Sequence, residues 1–215
     1  MSSQWVALTT RFTPGWPWPE NSYGMDPRYG EDGWCRGCGT PLREQVGPLT
    51  IHGSKFPSSP VWMPNWTGDV VCVSAEVAAE IQRRLAVQLR DVHTPRQGAT
   101  GAMQVIPSVT RGDWYDRDDL AKAIVARHGR WNGDQIGNTC ESCDRWKWLP
   151  ISDDEATIRS SSLNDDLGDV IASPEDFGDG LNSFKHLLFK RPLGAFLAAA
   201  HPKHWSVVEV STTDR

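Results

Sequence analysis

Two stretches decide how this chain is read: "GWCRGCGT" at residues 33–40 and "NTCESCDR" at residues 138–145. Each holds two cysteines separated by two residues, Cys35 and Cys38 in the first, Cys140 and Cys143 in the second. That spacing lets both sulfurs of a pair bind one metal ion from a tight turn. Two such turns supply the four thiolates of a closed tetrahedral zinc site. Cys35, Cys38, Cys140 and Cys143 are therefore the expected ligands of a structural Zn2+. Gly39 suits the first turn, because the residue after the second cysteine often takes a backbone conformation that glycine adopts at least cost. Asp144 holds the equivalent place in the second turn and tolerates that conformation less well.

A compact zinc ribbon puts about 15–20 residues between its pairs. Here Gly39 to Thr139 intervene, 101 residues. The expectation is a zinc-knuckle or ribbon-like site closed across a long folded insertion, or a staple between distant parts of one domain. A thioredoxin-like redox pair opens a helix after a strand, and neither turn has that context. Four of the five cysteines fall in the two pairs, which argues against unrelated thiols. The fifth, Cys72, lies in the apolar run "DVVCVS" and reads as inert core.

The remaining elements follow from periodicity and punctuation. Residues 4–12 alternate as a first strand, and 13–33 form a Pro- and Gly-rich ordered loop. Residues 46–53 are a short strand candidate, "SKFPSSPVWMPNW" a second loop, and 69–74 a buried strand. Ser74 caps a helix over 75–89 whose Val77, Ala78, Ile81, Leu85 and Leu89 share one face. A strand near 102–107 precedes a helix capped by Asp116 and ended by Gly129. Residues 145–151 alternate as a strand, and the acidic stretch 152–169 reads as a solvated surface connection. "DVIA" is a short strand, "SPEDF" a helix start with Ser173 as cap and Pro174 first, and "SFKHLLFK" fits helix or strand. "RPLGAFLAAAHP" is a helix with Leu193, Phe196, Leu197 and Ala200 on one face, stopped by Pro202. Residues 204–211 close the chain as a strand. Strands and helices interleaved at irregular lengths argue for α+β, a mixed sheet with a few helices, rather than a doubly wound sheet.

The chain has 215 residues, enough for one sizeable core. One domain over 1–215 is expected, with a sub-boundary near 152–168. The net charge of -5 gives no general attraction to phosphate backbones or anionic membranes. No run of eighteen apolar residues is present, so no membrane span is expected. "MSSQWVALTT" lacks the basic start and apolar core of a secretory signal. A cytoplasmic location follows as an expectation, and a reducing compartment disfavours disulfides. Eleven tryptophans against three tyrosines is the one unusual count, and most are expected inside.

Other candidate sites are weaker. His201 and His204 are three apart, a spacing that can bind metal. His201 also ends a helix, where a cation is favoured, and His128 has the same explanation. The acids at 152–155 and 164–169 match no calcium loop, and "FGDG" at 177–180 lacks the ending of a phosphate loop. No G-x-S-x-G, H-E-x-x-H or triad ordering is found.

The layout resembles the double-CXXCG proteins of bacteria, which include immunity proteins that neutralise a toxin delivered by a neighbouring cell. The likeness rests on "CRGCG" near the N-terminus, the central "VVCVSAEVAAEIQRRL", and "CESCDR" followed by about seventy residues with "DVIASPEDF" and a final strand. The second pair reads CESCD rather than CxxCG. The resemblance implies that Cys35, Cys38, Cys140 and Cys143 are metal ligands, and it carries over no catalytic residue. The expected function is a zinc-stabilised, non-catalytic protein that binds and blocks a protein partner. Charge alone suggests a basic toxin as that partner. The alternative is a zinc-ribbon nucleic-acid module, with Trp146 and Trp148 stacking on bases and Arg145 and Lys147 on phosphates. Against it, period-2 alternation puts both tryptophans on one face, inward, with the cations outward. A third reading places an enzyme site in the Trp-rich loop at 16–34.

Overall fold

The computed structural model describes residues 4–10, 16–52, 57–163 and 168–214, with backbone alone at 21–22. The architecture is mixed α+β, with two five-stranded sheets, two two-stranded ribbons and four α-helices among the described residues.

The first strand, β1 (Trp5–Thr10), alternates as its sequence requires. Trp5 and Ala7 point to one side and Val6 to the other, so both faces of its sheet are buried. The sheet runs β13 (Trp205–Glu209), β1, β12 (Leu187–Lys190), β11 (Val170–Ala172), β7 (Ser108–Val109). Only the β11/β7 pair is parallel. On the Val6 face lies α4 (Arg191–Ala200), which buries Leu193 and Leu197. A side-chain carbon at Gly194 would sit 2.6 Å from Val6 Cγ2, so only glycine lets the helix approach this closely. On the Trp5 face lies α3 (Arg117–Asn132), which buries Leu120 and Ile124.

The second sheet runs β2 (Leu49–Thr50), β5 (Gln88–Thr94), β6 (Gly98–Ile106), β4 (Cys72–Val73), β3 (Val61–Trp62). Behind it packs α2 (Ala75–Arg84), with Val77, Ala78 and Ile81 buried and the Ser74 hydroxyl accepting from the Val77 N–H. This sheet, α2 and α4 share one core with the Val6 face of the first sheet. The β6 to β7 passage, through Pro107, carries the chain from one sheet to the other.

The strand and helix expected at 69–74 and 75–89, the helices after Asp116 and Arg191, and the first and last strands are all present, with shifted bounds. Seven tryptophans are buried: Trp5, Trp16, Trp34, Trp62, Trp114, Trp148 and Trp205.

Several expectations need correction. The loop expected at 13–33 contains α1 (Asn21–Tyr29), hidden in the sequence by Gly24 and by Pro27 inside the helix. The helix expected to reach Leu89 ends at Arg84, and Leu89 lies in β5. The α3 helix runs past Gly129 to Asn132 and is closed by Gly133 at φ 59. "SPEDF" is not helical. Ser173 instead accepts from the His186 N–H and donates to the Glu175 carbonyl. Of the stretch read as a solvated connection, 164–167 lie outside the described residues. The rest is not all solvated: Ile158 is fully buried in β10 (Ile158–Arg159), which pairs with β14 (Thr212–Thr213). Asp153 also turns inward.

Candidate metal centre

The first cysteine turn leaves α1, and the second sits between β8 (Gly137–Thr139) and β9 (Trp146–Trp148), an antiparallel ribbon. The two turns face each other. Cys35 Sγ lies 3.7 Å from Cys140 Sγ, and Cys38 Sγ 3.7 Å from Cys143 Sγ. All four sulfurs fall within 4.8 Å of one another. A disulfide requires about 2.05 Å, so these are four separate thiols. A tetrahedral zinc with bonds of about 2.3 Å places its sulfurs about 3.8 Å apart, which is the spacing found. The cluster can hold one metal ion, and four sulfur donors suit zinc or iron rather than magnesium or calcium.

The turns are shaped for this. The Gly39 N–H donates to the Cys35 carbonyl at 2.8 Å, and the Asp144 N–H to the Cys140 carbonyl at 2.9 Å. Gly39 is at φ 77, and a side chain there would meet the Leu181 carbonyl oxygen at 2.0 Å. Asp144 takes the same left-handed backbone, φ 56, without being glycine. The Ser142 N–H pulls the Cys140 thiol down to about 6, assisted by its neighbouring thiols. Burial raises Cys38 and pushes Cys143 up to about 12. Metal binding must therefore displace protons from this site. Cys72 is fully buried, its thiol raised by desolvation, and is far from any ligand role.

Lys147 is the residue that sequence reasoning placed wrongly. Its alternation does put Trp146 and Trp148 together, edge to face at 5.4 Å. Lys147 on the opposite side is not outward, however; it is 2 % exposed. Its ammonium donates to the carbonyls of Cys38 at 2.9 Å, Gly180 at 2.7 Å and Asn182 at 3.1 Å. Three carbonyls satisfy three ammonium donors, which offsets the cost of burial. Arg145 is half exposed, with Nη1 3.7 Å from Asp176 Oδ2.

The histidines do not assemble a second site. His201 and His204 have ring centroids 4.4 Å apart, but His201 Nδ1 lies 2.5 Å from the Ser59 hydroxyl. Burial, then His204, lowers the His201 pKa, so the cation expected at this helix end is disfavoured. His128 Nε2 donates to the Pro150 carbonyl at 2.6 Å.

A buried polar group that the sequence did not announce is His186, 3 % exposed and stacked on Phe177 at 3.9 Å. Its Nε2 donates to the Ile151 carbonyl at 3.2 Å, and its Nδ1 accepts from the Tyr115 hydroxyl at 2.6 Å. Desolvation pushes its pKa down to about 3. Asp153 Oδ1 stands 3.4 Å from the same Nδ1. Burial, then Asp154, raises that carboxyl to about 7. No signal in "SDDE" separates Asp153 from its solvated neighbours.

Among the described residues no helix is long and apolar enough to cross a membrane. Comparison of the chain with protein-family models, curated proteins and solved structures finds no match.

Proposed function

We propose that the chain is a zinc-stabilised, non-catalytic binding protein of the immunity type, which binds and blocks a protein partner. A metal held by four thiolates has no open position for water or substrate, so its role is to hold the fold. The resemblance to double-CXXCG proteins points the same way, and a net charge of -5 suits a basic toxin by electrostatic steering.

The observation that carries the reading is an aromatic surface. Trp18, Tyr23 and Trp66 are 49 %, 44 % and 50 % exposed. Tyr23 and Trp66 stack at 5.8 Å with an interplanar angle of 26°. Both occupy left-handed backbone, φ 59 and φ 69. For bulky residues that conformation costs about 1–2 kcal/mol each. Exposed aromatics kept at such a cost suit a binding hot spot, where Trp and Tyr dominate the energy.

Protection of cells against a toxin encoded beside the gene tests this directly. The parent chain protects, and Trp66→Ser loses protection with its metal content unchanged. Absence of protection against any adjacent toxin, or full protection by a Tyr23→Ser/Trp66→Ser double variant, overturns the reading. The nucleic-acid alternative loses one of its two expected phosphate contacts, that of Lys147, because that ammonium is inside. Salt-dependent binding of single-stranded nucleic acid by the metal-loaded protein would restore it.

A further inference from the structure

A cavity of about 560 Å3 opens where the two five-stranded sheets meet beside the cysteine turns. Pockets of about 300–1,000 Å3 accommodate small molecules. Its walls come from α1, from residues 41–45 after the first turn, from β5, β6 and β7, and from Arg145 and the 172–185 segment.

Five cations line it, Arg28, Arg43, Arg90, Arg145 and Lys185, against the acids Glu44, Asp69 and Asp176. Asp176 is engaged, with Lys185 Nζ 2.9 Å from Oδ1 and Arg145 Nη1 3.7 Å from Oδ2. Asp69 accepts from the Lys185 backbone N–H at 3.2 Å. Burial raises its carboxyl, with Arg28 pulling the other way. Arg28, Arg43 and Arg90 have no carboxylate within ion-pair distance among the described residues, and their side-chain hydrogen bonds go to neutral acceptors.

Arg28 is only 5 % exposed. Its Nε donates to Gln45 Oε1 at 3.1 Å and its Nη2 to the Tyr29 hydroxyl at 3.0 Å. Gln45 is itself fixed by two hydrogen bonds between its side-chain amide and that of Gln104, at 2.8 and 3.0 Å. Arg90 Nη1 is held by the Gln45 and Gly47 carbonyls at 2.7 and 3.1 Å, and Arg43 Nε by the Tyr29 carbonyl at 2.7 Å. The guanidinium groups are thus oriented before any ligand arrives. Arg28, the one buried guanidinium of the three, has no carboxylate at ion-pair distance among the described residues, a costly state that an incoming anion relieves. The planar guanidinium fork matches the paired oxygens of a carboxylate or phosphate. Leu42, Ile106, Val109 and Phe184 supply apolar wall for the rest of a ligand.

We infer that this cavity binds a small molecule carrying an oxyanion, phosphate or carboxylate, on an apolar body, with Arg28, Arg43 and Arg90 as the anion contacts. The test is calorimetric titration of the metal-loaded full chain with phenyl phosphate and with benzoate, and with benzyl alcohol as the uncharged counterpart. At least one anion binds saturably with a Kd below about 1 mM, and benzyl alcohol binds at least about tenfold more weakly. The anion that binds more tightly identifies the head group. Arg90→Gln weakens binding at least about tenfold. Val109 stands exposed on the cavity wall and offers no polar side-chain atom. Val109→Trp therefore blocks binding with metal content and melting temperature unchanged. No saturable binding of either anion up to about 10 mM, equal binding of benzyl alcohol, or binding untouched by both variants overturns the inference.

Discussion

The ammonium of Lys147 lies 2.9 Å from the carbonyl oxygen of Cys38, so the strand that follows the second cysteine turn grips the first turn through a hydrogen bond. The same ammonium holds the Gly180 and Asn182 carbonyls, which brings the 180–182 segment against both turns. Gly39 packs on Leu181 in that segment, at the distance that forbids a side chain. The cysteine cluster is therefore embedded in three parts of the chain remote in sequence.

Lys147→Met keeps most of the volume and removes the three donors. Leaving buried carbonyls unpaired costs about 1–3 kcal/mol for each group, less where water enters. A loss of about 3 kcal/mol in urea unfolding of the metal-loaded protein is expected. A loss below about 0.5 kcal/mol would mean the ammonium contributes nothing beyond packing.

Gly39 and Asp144 hold equivalent places in the two turns, and the same exchange of residues has opposite effects there. Asp144 is exposed and at φ 56, so Asp144→Gly relieves strain and raises stability by up to about 1 kcal/mol. Gly39→Ala meets the Leu181 carbonyl and lowers stability by well over about 1 kcal/mol, with weaker metal retention. Thermal unfolding of both variants, with metal content measured alongside, checks the pair.

Asp153 gives a pH dependence of defined sign. Its folded pKa of about 7 stands above the ordinary 3.8. Between those values the folded chain keeps a proton that the unfolded chain has lost, so this group lowers stability as pH rises from about 4 to about 7. His186, pushed down to about 3 from 6.5, acts oppositely and lowers stability as pH falls from about 6.5 to about 3. Asp153→Asn isolates the first effect. A quarter of the Asp153 side chain meets solvent, so the variant gains a discounted amount, about 2 kcal/mol, at pH 8. The gain disappears below about pH 4. Urea unfolding of parent and variant at both pH values measures it, and a gain that does not vary with pH would contradict the burial of this carboxyl.

What could be read from the sequence was what local spacing encodes. The two C-x-x-C turns, the Ser74 cap and the Leu193/Leu197 face depend on residues within a few positions of one another, and all are in place. What was hidden depends on distant partners. Lys147 looked like a surface cation because the carbonyls that hold it belong to residues 33 to 109 positions away. Asp153 looked solvated because His186 approaches it from elsewhere in the chain. The α2 helix stops at Arg84 with no glycine or proline to announce it, because Gln88–Thr94 is taken by the strand pairing with β6. The cavity lined by Arg28, Arg43 and Arg90 draws on seven separate segments, and no motif in the chain marks it.

The most direct test of the central claim is metal content per chain, measured by elemental analysis on untagged, reduced protein and on Cys140→Ser. One zinc is expected in the parent, with metal lost and cooperative unfolding weakened in the variant. A reduced, folded parent that binds no metal would contradict it, as would a variant that keeps both its zinc and its stability.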